Sequence, residues 1–131
     1  MAERGNGDPS DLTVLTEKVI GAAIEVHRKL GAGFQEITYH RAMMIELEHR
    51  GIGFEAEYPV RLKYRGQDIG EGRVDLLVEH ALVVELKSAE ANPEKYKRQV
   101  VSYLKATGLK IGLLLNFNVQ LMKDGVARVS L

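Results

Sequence analysis

The sequence contains no cysteine. That excludes disulfides, thiolate-bound zinc, iron–sulfur clusters and a catalytic thiol together. Histidine is scarce too, four residues against eighteen Asp and Glu. A bound metal would therefore be held mostly by oxygen, and Mg²⁺ is the expected ion, with Mn²⁺ as a substitute. No apolar run approaches the roughly 20 residues needed to span a bilayer. The opening stretch MAERGNGDPSD lacks the apolar centre of a secretory signal and reads as a disordered lead-in over residues 1–11. Cytoplasmic residence is the default expectation. Net charge is formally zero, which counts against strong non-specific binding to nucleic acid; a local basic rim around an acidic centre would still be compatible with it. There is no internal repeat, low-complexity tract or linker.

What is present is a chain of 131 residues, 45% hydrophobic and 27% charged. That suits one globular domain, expected over residues 12–131. Val19, Ala22, Ala23, Val26 and Leu30 recur at helical spacing and predict a helix from about Leu12 to Leu30, stopped by Gly31. GAGFQ leads into a second helix from about Glu36 to Arg50, with Tyr39, Ala42, Met43 and Leu47 as its buried stripe. From Phe54 the period becomes strand-like: FEAEYPVRLKY, a turn at RGQD, then IGEGRVDLLVE. A short turn at Glu79–His80 leads into ALVVELKSA, the most apolar strand. NPEKYKRQVVSYLKATG predicts a third helix, with Asn92 as cap, Pro93 in the first turn and Gly108 as stop. LKIGLLLNF is a further strand, and VQLMKDGVARVSL ends in a hairpin around Lys123–Gly125. The order α-α-β-β-β-α-β-β predicts an α/β fold, a central mixed sheet flanked by helices on both faces. The strand at 111–117 follows a helical crossover and should run parallel to that at 82–88.

ALVVELKSA carries an anomaly. So apolar a strand belongs inside a sheet, yet it contains Glu85 and Lys87, which share one face with Val83. Either charge buried alone would cost several kcal/mol, so each needs a partner or a wet cleft. The preceding strand adds Asp75, within RVDLLV. With antiparallel pairing through the Glu79–His80 turn, Asp75 and Glu85 project from adjacent strands toward one point. Two converging carboxylates form a site for a hard cation. Phosphodiester hydrolysis uses such an ion to activate water and offset phosphoryl charge, and a neighbouring lysine to orient water or stabilise the transition state. A D/E-x-K triplet also arises about once by chance in so charged a chain, and an ion-pair network on a half-exposed sheet would use the same residues.

GFQEITY, Gly33 through Tyr39, resembles the GxxExxY motif of a family of small bacterial proteins in the PD-(D/E)xK nuclease superfamily. The similarity continues through EVHRKLG, RVDLLVE and VVELKS. It implies a restriction-endonuclease-like core and a Mg²⁺-dependent nuclease acting on nucleic acid, most readily DNA. By resemblance Asp75 and Glu85 are metal ligands, joined by the Leu86 backbone carbonyl and by Glu36 on an early helix. Lys87 completes the (D/E)xK pair. Gln99 and Tyr103 match a QxxxY motif that contacts or orients nucleic acid. The proline that often precedes the aspartate is Val74 here.

Gln99 and Tyr103 share one helical face, as a packing stripe of Tyr96, Val100 and Tyr103 also would. Without the resemblance, Glu36 is an ordinary first-turn acid favoured by the helix dipole. Tyr39 reads as core, and His27 as a hydrogen-bonded core histidine rather than a ligand. Arg61, Lys63 and Arg65 form a basic row along one strand, read first as a solvated face and second as a phosphate contact. Lys95, Lys97 and Arg98 read likewise as helix surface. The alternative to an enzyme is a non-catalytic nucleic-acid-binding or protein-interaction module on the same fold. A homodimer is a further expectation, since the chain is too small to enclose a duplex alone.

Overall fold

The computed structural model describes residues 9–90 and 93–131. The Asn92 cap and most of the lead-in lie outside that range. Helix α1 spans Pro9–Leu30 and α2 spans Glu36–His49. Strands β1 (Phe54–Tyr64), β2 (Gln67–Val78) and β3 (Leu82–Lys87) follow. Then come α3 (Pro93–Thr107), β4 (Ile111–Asn116), a 3-10 turn at Met122–Gly125 and β5 (Val126–Ser130). Helix α1 starts ahead of the expected Leu12, with Asp11 in its first turn and His27, Arg28 and Lys29 in its last, both favourable to the helix dipole. It stops at Gly31, whose φ of 71° suits glycine and whose N–H donates to the His27 carbonyl.

The five strands lie in the order β1-β2-β3-β4-β5. All neighbours are antiparallel except β3 and β4, which run parallel through the α3 crossover, as expected. One face of the sheet packs on α1 and α2: Val19, Ala23, Tyr39, Met43 and Leu47 meet Leu76, Val84, Leu86 and Leu113. The other packs on α3, where Val100 and Leu104 meet Val60, Val74, Val83 and Leu114. Among the described residues no helix is long and apolar enough to cross a membrane.

Two features depart from the sequence reading. The C-terminal segment is not a self-contained hairpin around Lys123–Gly125. Met122–Gly125 is a 3-10 turn, and β5 pairs with β4. Gly125 passes so close to the Asn116 carbonyl that a Cβ there would collide with it. Arg65 is also not in the basic strand row: β1 ends at Tyr64, and Arg65 occupies the following turn with a φ of 49°.

The main irregularity lies in β1 and β2. Strict alternation would place Val74 and Leu76 on one face. Instead Leu76 packs with α1 and α2, and Val74 with α3. Strand β1 changes face at the same level, since Phe54 packs toward α1 and α2 but Tyr58 and Val60 toward α3. The β1–β2 ladder skips the pair Glu57–Asp75, and Glu57 has a left-handed φ of 53°. Asp75 thus sits where the sheet turns over.

Candidate active site

The β2–β3 ladder ends at the pair Leu76↔Val84, so Asp75 and Glu85 come next, opposite each other. There side chains take over from backbone pairing. The Asp75 N–H donates to Glu85 Oε2 at 2.8 Å, and the Leu86 N–H donates to Asp75 Oδ2 at 2.8 Å. Each carboxylate is tied to the other strand and held in place at the mouth of the gap. In a strand, the N–H and C=O of one residue point to the same neighbour. The Leu86 carbonyl therefore lies on the Asp75 side of β3.

Glu85 is 2% exposed. Burial, reinforced by the facing Asp75, pushes its carboxyl up to about 8, while Lys87 pulls the other way. Burial also raises Asp75, opposed by the Leu86 N–H. Glu36 raises both acids. No ion pair to Lys or Arg neutralises Asp75 or Glu85 among the described residues. Lys87 lies on the α3 side of β3, its Nζ 4.8 Å from the centre of the Tyr96 ring, a cation–π contact that holds the ammonium.

Glu36 opens α2 and lines an open cleft with Ile37, His40, Glu57, Asp75 and Leu86. The loop before it explains its placement. Gly33 has a φ of 109°, which a side chain resists. The buried Tyr39 hydroxyl donates to the Gly31 carbonyl at 2.5 Å and accepts the Phe34 N–H at 3.2 Å. Its ring stacks on Phe117, centroids 4.5 Å apart. Gly33, Glu36 and Tyr39 thus act as one unit: the glycine makes the turn, the tyrosine clamps it, and the glutamate is left at the cleft. Tyr39→Phe should lower the melting temperature by about 5 °C, through loss of two partly buried hydrogen bonds, as thermal unfolding will show.

Tyr103 lies against β2 so closely that a Cβ on Gly72 would meet its ring at 2.7 Å. Gln99, half-buried, sits on the same side of α3, between Tyr103 and the Tyr96 that carries Lys87. His27 is a core histidine, its Nε2 2.8 Å from the Val119 carbonyl. Arg61 and Lys63 are exposed beside Asp68, and Lys97 pairs with Glu94, in line with solvated faces.

Two titratable residues of the cleft escaped the sequence reading. His40 is buried, its Nε2 3.2 Å from the Asp75 carbonyl and 3.7 Å from Glu57 Oε2. Its position one helical turn after Glu36 was the available signal. Glu57 had none, because its left-handed backbone brings it to the cleft. Among the described residues no three His, Asp or Glu side chains close on a common point to hold an ion. The donor chemistry still suits a hard divalent cation, since Mg²⁺ commonly takes one or two carboxylates and completes its shell with water and substrate oxygen. Asp75, Glu85 and the Leu86 carbonyl are donors of that kind.

One solved structure, that of SSO0001, shares 15% identity at a TM-score of 0.41, covering 87% of this chain and 75% of that one. No curated protein matches the chain. A family model, the PD-(D/E)XK nuclease superfamily, matches residues 13–129. Members of that superfamily are generally phosphodiesterases that use divalent metals and act on nucleic acid, and the mixed sheet between α1–α2 and α3 is their restriction-endonuclease-like fold. The chain belongs to the PD-(D/E)XK nuclease superfamily.

Proposed function

We propose that this chain is a Mg²⁺-dependent nuclease of the GxxExxY group that hydrolyses phosphodiester bonds, with DNA as the first substrate to try. The observation that carries the reading is the Asp75–Glu85 pair, a half-buried and a buried acid held opposite each other without an ion-pair partner among the described residues, with Lys87 beside them. Nothing in fold stability explains such a pair, since removing like charges from water costs energy. Asp75, Glu85 and the Leu86 carbonyl would hold the metal, and Glu36 would add a ligand or polarise the water. The ion, when bound, lowers the pKa of its water and offsets charge on the phosphoryl oxygens. Lys87 holds its ammonium where it orients the attacking water or meets the negative charge of the transition state. Gln99 and Tyr103 orient the strand from the α3 side.

The test is cleavage of single-stranded, duplex and branched DNA and of RNA, in Mg²⁺, Mn²⁺ and EDTA. Wild type should cut only with a divalent ion, and Asp75→Ala should lower the rate at least 100-fold. Equal cutting by wild type and variant, or cutting that survives EDTA, removes the assignment and favours a binding module.

A further inference from the structure

Two large apolar side chains stand out of the surface on either side of Glu36: Phe34 is 47% exposed and Ile37 is 49% exposed. Ile37 is also part of the cleft wall, beside Asp75 and Leu86. Phe34 is not a loose surface residue. Its N–H donates to the Tyr39 hydroxyl, and its carbonyl accepts from Ser88 Oγ at 2.7 Å. Its ring meets that of Tyr39 edge-on, with centroids 6.1 Å apart at 71°. Ser88 directly follows Lys87. The Phe34 backbone is therefore anchored between the start of α2 and the end of β3, the elements that carry Glu36 and Lys87, and its ring rests on Tyr39 with the residue about half exposed.

A half-exposed aromatic ring two residues from Glu36, which lines the cleft, matches one partner chemistry, the face of an unstacked nucleobase. Charge points the same way. The chain has no net positive charge to attract a phosphate backbone. Arg61 and Lys63 on β1 already face Asp68. Affinity then draws on contacts beside charge. Duplex DNA keeps its base faces covered by their neighbours, whereas a single strand offers them. Resting on the nuclease reading above, we propose that Phe34, with Ile37 beside it, is a base-stacking platform that makes single-stranded nucleic acid the substrate class of this cleft.

Binding is to be measured in the Glu85→Gln background, so that cleavage does not intervene, by fluorescence anisotropy of one labelled oligonucleotide used single-stranded and as a duplex. A single-stranded probe containing 2-aminopurine reports stacking directly through quenching. The single strand should bind more tightly than the duplex. Phe34→Ala and Phe34→Leu should each weaken single-strand binding about 10-fold and abolish the quench, and Phe34→Tyr should restore both. Phe34→Leu keeps apolar bulk, so a loss there is a loss of the ring and not of the loop. Equal binding of the two oligonucleotides, or an unchanged Kd in the Ala and Leu variants, overturns the platform. Glu85-dependent cleavage by a protein whose binding ignores Phe34 would remove the platform and leave the nuclease standing. Phe34-dependent single-strand binding by a protein that never cuts would do the reverse.

Discussion

Glu85→Gln is expected to lower metal-dependent cleavage at least 100-fold and, in the same protein, to raise the melting temperature of the metal-free fold at pH 8 by roughly 10 °C. The two effects have one cause. The Glu85 carboxyl is raised from 4.5 to about 8 by burial and by Asp75 opposite it, so the folded chain binds this proton more tightly than the unfolded chain does. Its stabilising contribution is full below the unfolded value, near 4.5, and is lost as pH rises through about 8. Asp75, Lys87 and Glu36 all act on Glu85. Asp75 shifts in the same direction and shares the trend, while Lys87 opposes it. Ionised Glu85 then costs of the order of 3 kcal/mol once relaxation and water penetration have taken their share. Glutamine has nearly the same shape, and its side-chain carbonyl still accepts the Asp75 N–H, so the charge is removed and little else changes.

Melting curves in EDTA at pH 5 and pH 8 check the sign. Wild type and variant should nearly coincide at pH 5 and separate at pH 8. A divalent ion should stabilise wild type at pH 8 and leave the variant almost unmoved. A variant that melts at or below wild type at pH 8 would mean that Glu85 is not the strained acid described here. A buried acid that weakens the fold when ionised is the trade expected where function, not stability, has chosen the residue.

The elements were legible because their periods are clean. Val19, Ala22, Ala23 and Val26 in α1 are buried at helical spacing, and the alternation of β3 placed Glu85 and Lys87 together with Val83 on the α3 side. The turn at Glu79–His80 was legible by length alone. Both residues take left-handed φ, 52° and 55°, usually the preserve of Asn and Gly. Here the hairpin pairing of Leu77 with Val83 and Val78 with Leu82 enforces the turn.

What stayed hidden depends on contacts between distant segments. A period-2 pattern cannot reveal that β1 and β2 turn over at Glu57 and Asp75, because it assumes a constant face. That inversion brings Glu57 to the cleft beside His40. The pairing of β5 with β4 is set by Gly125 fitting under the Asn116 carbonyl and by His27 reaching Val119 across the α1 side. His27 and Val119 lie 92 residues apart in the chain. Asp75 and Glu85 were within reach of sequence reasoning because a single short turn fixes their register. Glu36 was not, except through the Gly33–Glu36–Tyr39 pattern, since its distance from both acids is set by the Tyr39 clamp and not by any local period.

Lys87→Met should lower kcat about 10²–10³-fold while leaving divalent-ion binding measurable by calorimetry. The split follows from where the ammonium sits. It is held against Tyr96 on the α3 side, while the Leu86 N–H holds Asp75 Oδ2 in the gap between β2 and β3, so the proposed metal donors survive its loss. Lys87 also draws Glu85 and Asp75 downward. Without it both acids hold their protons to higher pH, and the acid limb of the cleavage profile, set by their ionisation, should move upward in pH. A purely structural role for Lys87 would lower stability and rate together without moving that limb. Lys87→Arg keeps the charge and should return the limb toward its wild-type position. It should recover only part of kcat, because a planar guanidinium cannot place its donors where a compact ammonium does. If Lys87→Met leaves kcat within a few-fold of wild type, the lysine belongs to the Tyr96 contact and not to the chemistry.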